Sequence, residues 1–167
     1  MTIMGPDSTI DADSARLQSQ IDDAWRAHAP AALRFATVLV GPSEAHDVAS
    51  RAFLGVTKAT GWAGLDKPES YLLRAVSRQA VDHHRQRTRR QRRDLVAVPE
   101  IASHDTSPDL DVMRAIRRLS IAQRSVVFLA YWHDMTEAAI ADTLGVSPGT
   151  VLRNLVRARI QLRKVLT

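Results

Sequence analysis

Apolar residues recur at helical spacing along most of the chain, and nowhere with the strict alternation of a half-buried strand. From residue 14, Leu17, Ile21, Ala24 and Trp25 fall at i, i+4, i+7 and i+8, one face of a helix. His28 to Pro30 is expected to interrupt that face, because proline brings no backbone donor. A second stretch over 31–40 carries Leu33, Val38 and Leu39, and Gly41-Pro42 marks a turn. Ser43 is the expected N-cap of the next helix, with Glu44 in its first turn. That helix runs to about residue 60, with Val48, Ala52, Phe53 and Val56 on one face. Residues 61–68 hold two glycines and a proline and read as a loop. Glu69 opens a longer helix with Leu72, Leu73, Val76, Ala80 and Val81 apolar.

The pattern breaks over 94–107 and resumes at Pro108. One helix is expected over 109–119 and another over 121–132, the latter carrying Val126, Val127, Leu129 and Ala130. Thr136 caps a short helix ending at Leu144, and Gly145 is its C-cap. Ser147-Pro148 places a cap before a proline at the first helical position. In the last helix Val151, Leu155, Ala158, Leu162 and Val165 form a single stripe. The expected fold class is all-α: two small helical domains joined by a flexible linker. The expected divisions are a mobile tail over 1–13, a first domain over 14–93, an acidic linker over 94–107 and a second domain over 108–167.

Charge sharpens the division. The chain of 167 residues carries 23 Lys plus Arg against 18 Asp plus Glu, a net +5. Residues 1–50 are acidic, 51–93 strongly basic, 94–111 acidic with no cation, and 112–167 basic. Two basic segments thus flank an acidic connector. Only Lys58, Lys67 and Lys164 are lysines; the remaining cations are arginines, whose planar forks suit phosphates and base edges. Nucleic acid is the polyanion that fits two separated basic modules, and solvated helix faces are the alternative. Hydrophobic residues at 45% can build a core. The absence of cysteine excludes disulfides and thiolate sites and fits a reducing compartment. No apolar run is long enough for a membrane span, and the first 13 residues lack the basic and apolar regions of a secretory signal.

Residues 136–166 have the grammar of a helix-turn-helix: short helix, glycine turn, capped second helix. Ala139, Ile140 and Leu144 are expected to pack the first helix on the second, with Val146 as an apolar plug in the turn. Ser147 satisfies free N–H groups at the second helix's start, and Thr150 lies beside it. Arg153, Asn154 and Arg157 face outward to read bases, Arg pairing with guanine and Asn with adenine. Arg159, Arg163 and Lys164 lie further along, placed for phosphates. A helical hairpin that binds only protein is the alternative. Six arginines over 85–93 continue the basic theme. His83 and His84 are adjacent, so they point apart on a helix. No metal site, phosphate loop or catalytic set appears, and no cofactor is expected.

Two blocks together resemble a bacterial sigma factor of the extracytoplasmic-function group of the sigma-70 family. Residues 116–166 are similar to its domain 4, through Gln123-Arg124, Ile140-Ala141, Leu144-Gly145-Val146-Ser147, Gly149-Thr150-Val151 and Arg157-Ala158-Arg159. Residues 31–93 are similar to domain 2, through Ala45, Asp47, Phe53, Leu72-Leu73-Arg74, Ala80, Val81-Asp82-His83 and the arginine run. The resemblance implies a dissociable, non-enzymatic, cytoplasmic subunit of RNA polymerase. Domain 2 would dock on the β′ clamp helices through Asp47, Ser50 and Arg51. It would read the melted −10 element with Lys67, Tyr71, Arg74, Arg78, His83 and Arg85. Domain 4 would sit on the β flap and read the −35 element. The implied partners are core polymerase, promoter DNA and an anti-sigma factor, with no membrane. The chain departs from the family at several places. The usual Asp-Leu-Val-Gln-Glu run reads Asp47-Val48-Ala49-Ser50-Arg51, and the usual Lys-Ser-Arg of the recognition helix reads Leu152-Arg153-Asn154. A sigma-derived regulator that does not initiate alone, and an interaction protein with an acidic partner, remain as alternatives.

Overall fold

The computed structural model describes residues 7–62, 64–94 and 108–166. Among these every regular element is a helix: α1 Asp7–Val40, α2 Pro42–Thr60, α3 Pro68–Asp94, α4 Pro108–Arg118, α5 Ile121–Tyr131, α6 Glu137–Leu144 and α7 Pro148–Leu166. The all-α expectation holds. Residues 1–6 of the expected tail and 95–107 of the expected linker lie outside the described residues; residues 7–13 are helical, the first turns of α1.

Helices α1, α2 and α3 pack into one set. Ala32, Phe35, Ala36 and Leu39 of α1 meet Ala45, Val48, Ala49, Ala52 and Phe53 of α2 and Leu72, Leu73, Val76 and Ala80 of α3 in the core. The alanines allow close approach, and each large side chain contributes about 1.5–3 kcal/mol on burial. Helix α1 does not break at Pro30. Pro30 is exposed, and buried Ala29, Ala31 and Ala32 hold the helix on its neighbours. Further back, Leu17 is exposed, and the apolar face expected there packs only from Ile21 onward. The cap of α2 is Gly41 at φ 93°, with Pro42 in the first helical position, so Ser43 lies inside the helix. Trp62 stacks on Phe53 at 4.7 Å and donates to Thr57 Oγ1 at 2.8 Å, which fixes the loop leaving α2.

Helices α4 to α7 form the second set. Ser120 and Gln123 make a reciprocal capping box at the start of α5. Thr136 accepts from Ala139 N to cap α6, and Gly145 ends it in the left-handed region at φ 67°. Ser147 Oγ accepts from Thr150 N at the start of α7. Two details of the turn differ from expectation. Ile140, Ala141 and Thr143 face inward while Ala139 is exposed, and Val146 is exposed rather than buried in the turn.

The two sets share one hydrophobic core. Phe35 and Phe128 meet at 5.1 Å between ring centroids. Arg124 Nη1 donates to Leu39 O at 2.6 Å, at the end of α1, and its Nε donates to Ile116 O and Leu119 O near the end of α4. Arg74 mirrors this from the other side: Nε donates to Thr143 O at 2.8 Å and Nη2 to Asp142 O, both in the last turn of α6. Each guanidinium thus sits at the negative end of a helix belonging to the other set.

Candidate nucleic-acid interface

Helix α7 carries Arg153, Arg157, Arg159, Arg163 and Lys164 and no carboxylate. Val151, Leu155 and Ala158 are buried and fix which face turns outward. Arg153 and Arg157 stand exposed on that outward face, one turn apart. Thr150 and Asn154 lie to one side, and Asn154 Nδ2 donates back to Thr150 O at 2.9 Å. Asn154 is therefore held against its own helix, with its side-chain oxygen left to accept. Arg159 and Arg163 lie to the other side. Arg159 Nε donates to Tyr131 Oη at 3.0 Å, and both arginines rim an apolar groove between α4, α5 and α7. The expected row of readers is thus split: Arg153 and Arg157 on the outward face, Arg159 and Arg163 at the groove.

The groove, of about 470 Å³, is lined by Val112, Ile116, Tyr131, Trp132 and Leu162 among others. Tyr131 and Trp132 are more than half exposed. No local sequence pattern marks it beyond the aromatic pair at the end of α5, because the lining comes from three helices, each contributing one edge.

On α3, Tyr71, Arg74, Arg78 and Arg85 share one stripe, with Lys67 one residue ahead of the helix. Arg74 lies over the Tyr71 ring at 6.0 Å, a cation–π contact beside a ring that remains exposed. Asp66, Lys67, Ser70, Tyr71 and Arg74 line a polar pocket of about 170 Å³, which Asp142 of α6 closes. Lys67 Nζ lies 3.4 Å from that Asp142 carboxylate. His83 is not on the stripe. Its Nε2 points back to Glu44 of α2 at 3.7 Å, so among the expected −10 readers it serves packing between helices.

The expected polymerase-docking residues lie on α2. Asp47 and Arg51 pair at 3.1 Å, and Ser50 Oγ lies 3.4 Å from His46 Nδ1. Leu54 stands beside them at 53% exposure. The pair leaves this surface near neutral. Among the described residues no cluster of histidines and carboxylates could hold a metal ion, and no helix is long and apolar enough to cross a membrane.

The chain is similar to known proteins over both helix sets. The Sigma-70 region 2 family matches residues 24–90 and the Sigma-70, region 4 family matches residues 109–162. The RNA polymerase sigma-E factor of Streptomyces antibioticus is 44% identical over 55 residues, which is 33% of this chain and 31% of that protein. The sigma factor RpoE of Bartonella quintana, solved in complex with the anti-sigma factor NepR, has the same fold. It superposes with a TM-score of 0.70 at 22% identity, over 87% of this chain and 95% of its own. Region 2 over α1–α3 followed by region 4 over α4–α7 places the chain in the sigma-70 family, with the two-region layout of its extracytoplasmic-function group.

Proposed function

We propose that the chain directs core RNA polymerase to a specific promoter set and assists initiation there, as a non-enzymatic subunit acting in the cytoplasm. The observation that carries this is the pairing, in one chain, of two different nucleic-acid surfaces. Helix α7 offers a cationic duplex-reading face free of carboxylates. Helix α3 offers cations interleaved with an aromatic ring, the combination that suits an unstacked strand. The first reads the −35 element through Arg153 and Arg157, with Ser147, Thr150 and Asn154 at its side. The second reads the −10 element through Lys67, Tyr71, Arg74, Arg78 and Arg85. The α2 surface of Asp47, Ser50, Arg51 and Leu54 meets the β′ clamp helices, and the groove beneath Trp132 takes the β flap.

In the present arrangement Lys67 and Arg74 are engaged by α6. The two sets, units over 14–93 and 108–167, therefore part when the −10 strand is read. An anti-sigma factor would hold them together. A second reading, a regulator that binds DNA but does not initiate alone, is favoured by the Asp47–Arg51 pair, which removes net negative charge from the docking face.

Duplex binding tests the assignment of α7. Arg153→Ala is expected to cost about 1–3 kcal/mol on the preferred site and to relax base preference there. Equal loss on preferred and random duplexes would remove Arg153 from the reading face.

A further inference from the structure

Helix α7 has a second apolar row that the fold does not use. Leu152, Val156 and Ile160 fall at i, i+4 and i+8 and remain 47%, 44% and 51% exposed. The row runs beside the outward cations Arg153 and Arg157. Three aliphatic side chains left half exposed along one row of a helix need a reason, since the core stripe of Val151, Leu155 and Ala158 is complete without them. One of them, Leu152, stands where the sigma-70 resemblance sets a lysine.

We propose that Val156, flanked by Leu152 and Ile160, reads the C5-methyl groups of thymines, so that the −35 element of this chain is specified by methyl contacts as well as by arginine. The inference rests on the reading of α7 as a major-groove helix. The occupant of the row must also accept the cations beside it. Duplex DNA supplies phosphates for the cations and, in its major groove, one apolar feature, the thymine methyl. Successive members of the row are about 6 Å apart along the helix axis, close to two base-pair steps. The row is thus spaced to meet thymines at separated positions rather than a continuous run.

The test removes the methyl and nothing else. The full chain, with core RNA polymerase, selects duplexes from a random pool, and each thymine of the winner is replaced in turn by deoxyuridine. At one or two thymines the affinity is expected to fall about fourfold, the worth of one buried methyl. Val156→Ala should bind the thymine duplex about as weakly as the native chain binds the uracil one, and should be indifferent to that replacement. Val156→Ile should keep the sensitivity. Val156 is exposed, so neither change disturbs the fold. If duplexes are enriched but deoxyuridine is tolerated everywhere, or Val156→Ala stays as sensitive as the native chain, the methyl reading is wrong and the row belongs under a protein partner. If no duplex is enriched, the assignment of α7 to DNA fails, and this inference with it.

Discussion

Arg124 engages two helix ends with one guanidinium, donating to carbonyls near the end of α4 and to Leu39 O at the end of α1. Charge-assisted hydrogen bonds of this kind are stronger than neutral ones, and losing them strands part-buried carbonyls. Arg124→Ala is expected to lower stability by about 2–3 kcal/mol in urea unfolding, and Arg124→Lys to restore little, because an ammonium cannot span both ends. An unchanged midpoint for the alanine variant would remove Arg124 from the account of how the sets are joined. The sequence showed Gln123-Arg124 as a family match but not this role. The acceptor on α1 is 85 positions away, and no local pattern points to it. Arg74 was legible as a member of the α3 stripe, while its carbonyl partners on α6, 68 and 69 positions distant, were not. Residue types on a helix face are written in the sequence; which face meets which is decided by packing.

The turn between α6 and α7 shows how far local grammar reaches. Its caps and left-handed glycine follow from Thr136, Gly145 and Ser147 and stand as expected. What the grammar omits is the neighbour. A Cβ on Gly145 would stand 3.3 Å from Arg74 Cζ, in addition to the strain of a φ of 67°. Gly145→Ala is therefore expected to cost about 1–2 kcal/mol in thermal unfolding and to loosen the contact between the sets. Helix α1 failed the same grammar in the other direction, since a proline read as a break sits inside an unbroken helix. Pro30→Ala is expected to raise stability by about 1–3 kcal/mol, because burial on both sides already holds the helix. A decrease would mean that Pro30 shapes α1. On α2, the Asp47–Arg51 pair makes the proposed docking surface testable by sign. Arg51→Glu restores the acidic character of the family and is expected to tighten binding to core polymerase; weakening would mean that Arg51 meets an acidic partner.

At the scale of the molecule, the residues that join the two sets overlap those assigned to the −10 strand. The sequence suggested two separate domains, and the apolar periodicities that build each one gave no sign that Phe35 and Phe128 would meet between them. The shared core predicts that a chain cleaved at an engineered protease site within 95–107 elutes as one particle. Ser77 and Ser125 face each other across the sets at 3.3 Å, and the chain has no native cysteine. A double S77C and S125C variant, oxidised, should hold the sets closed and fail to initiate, with activity returning on reduction. Full activity of the crosslinked chain would show that the sets need not part. Run-off transcription with purified core polymerase on fragmented genomic DNA measures directly whether the chain confers initiation. The account predicts discrete transcripts that require the chain and vanish with Arg153→Ala and Arg157→Ala together. Binding of the chain to polymerase and DNA without any such transcripts would contradict it.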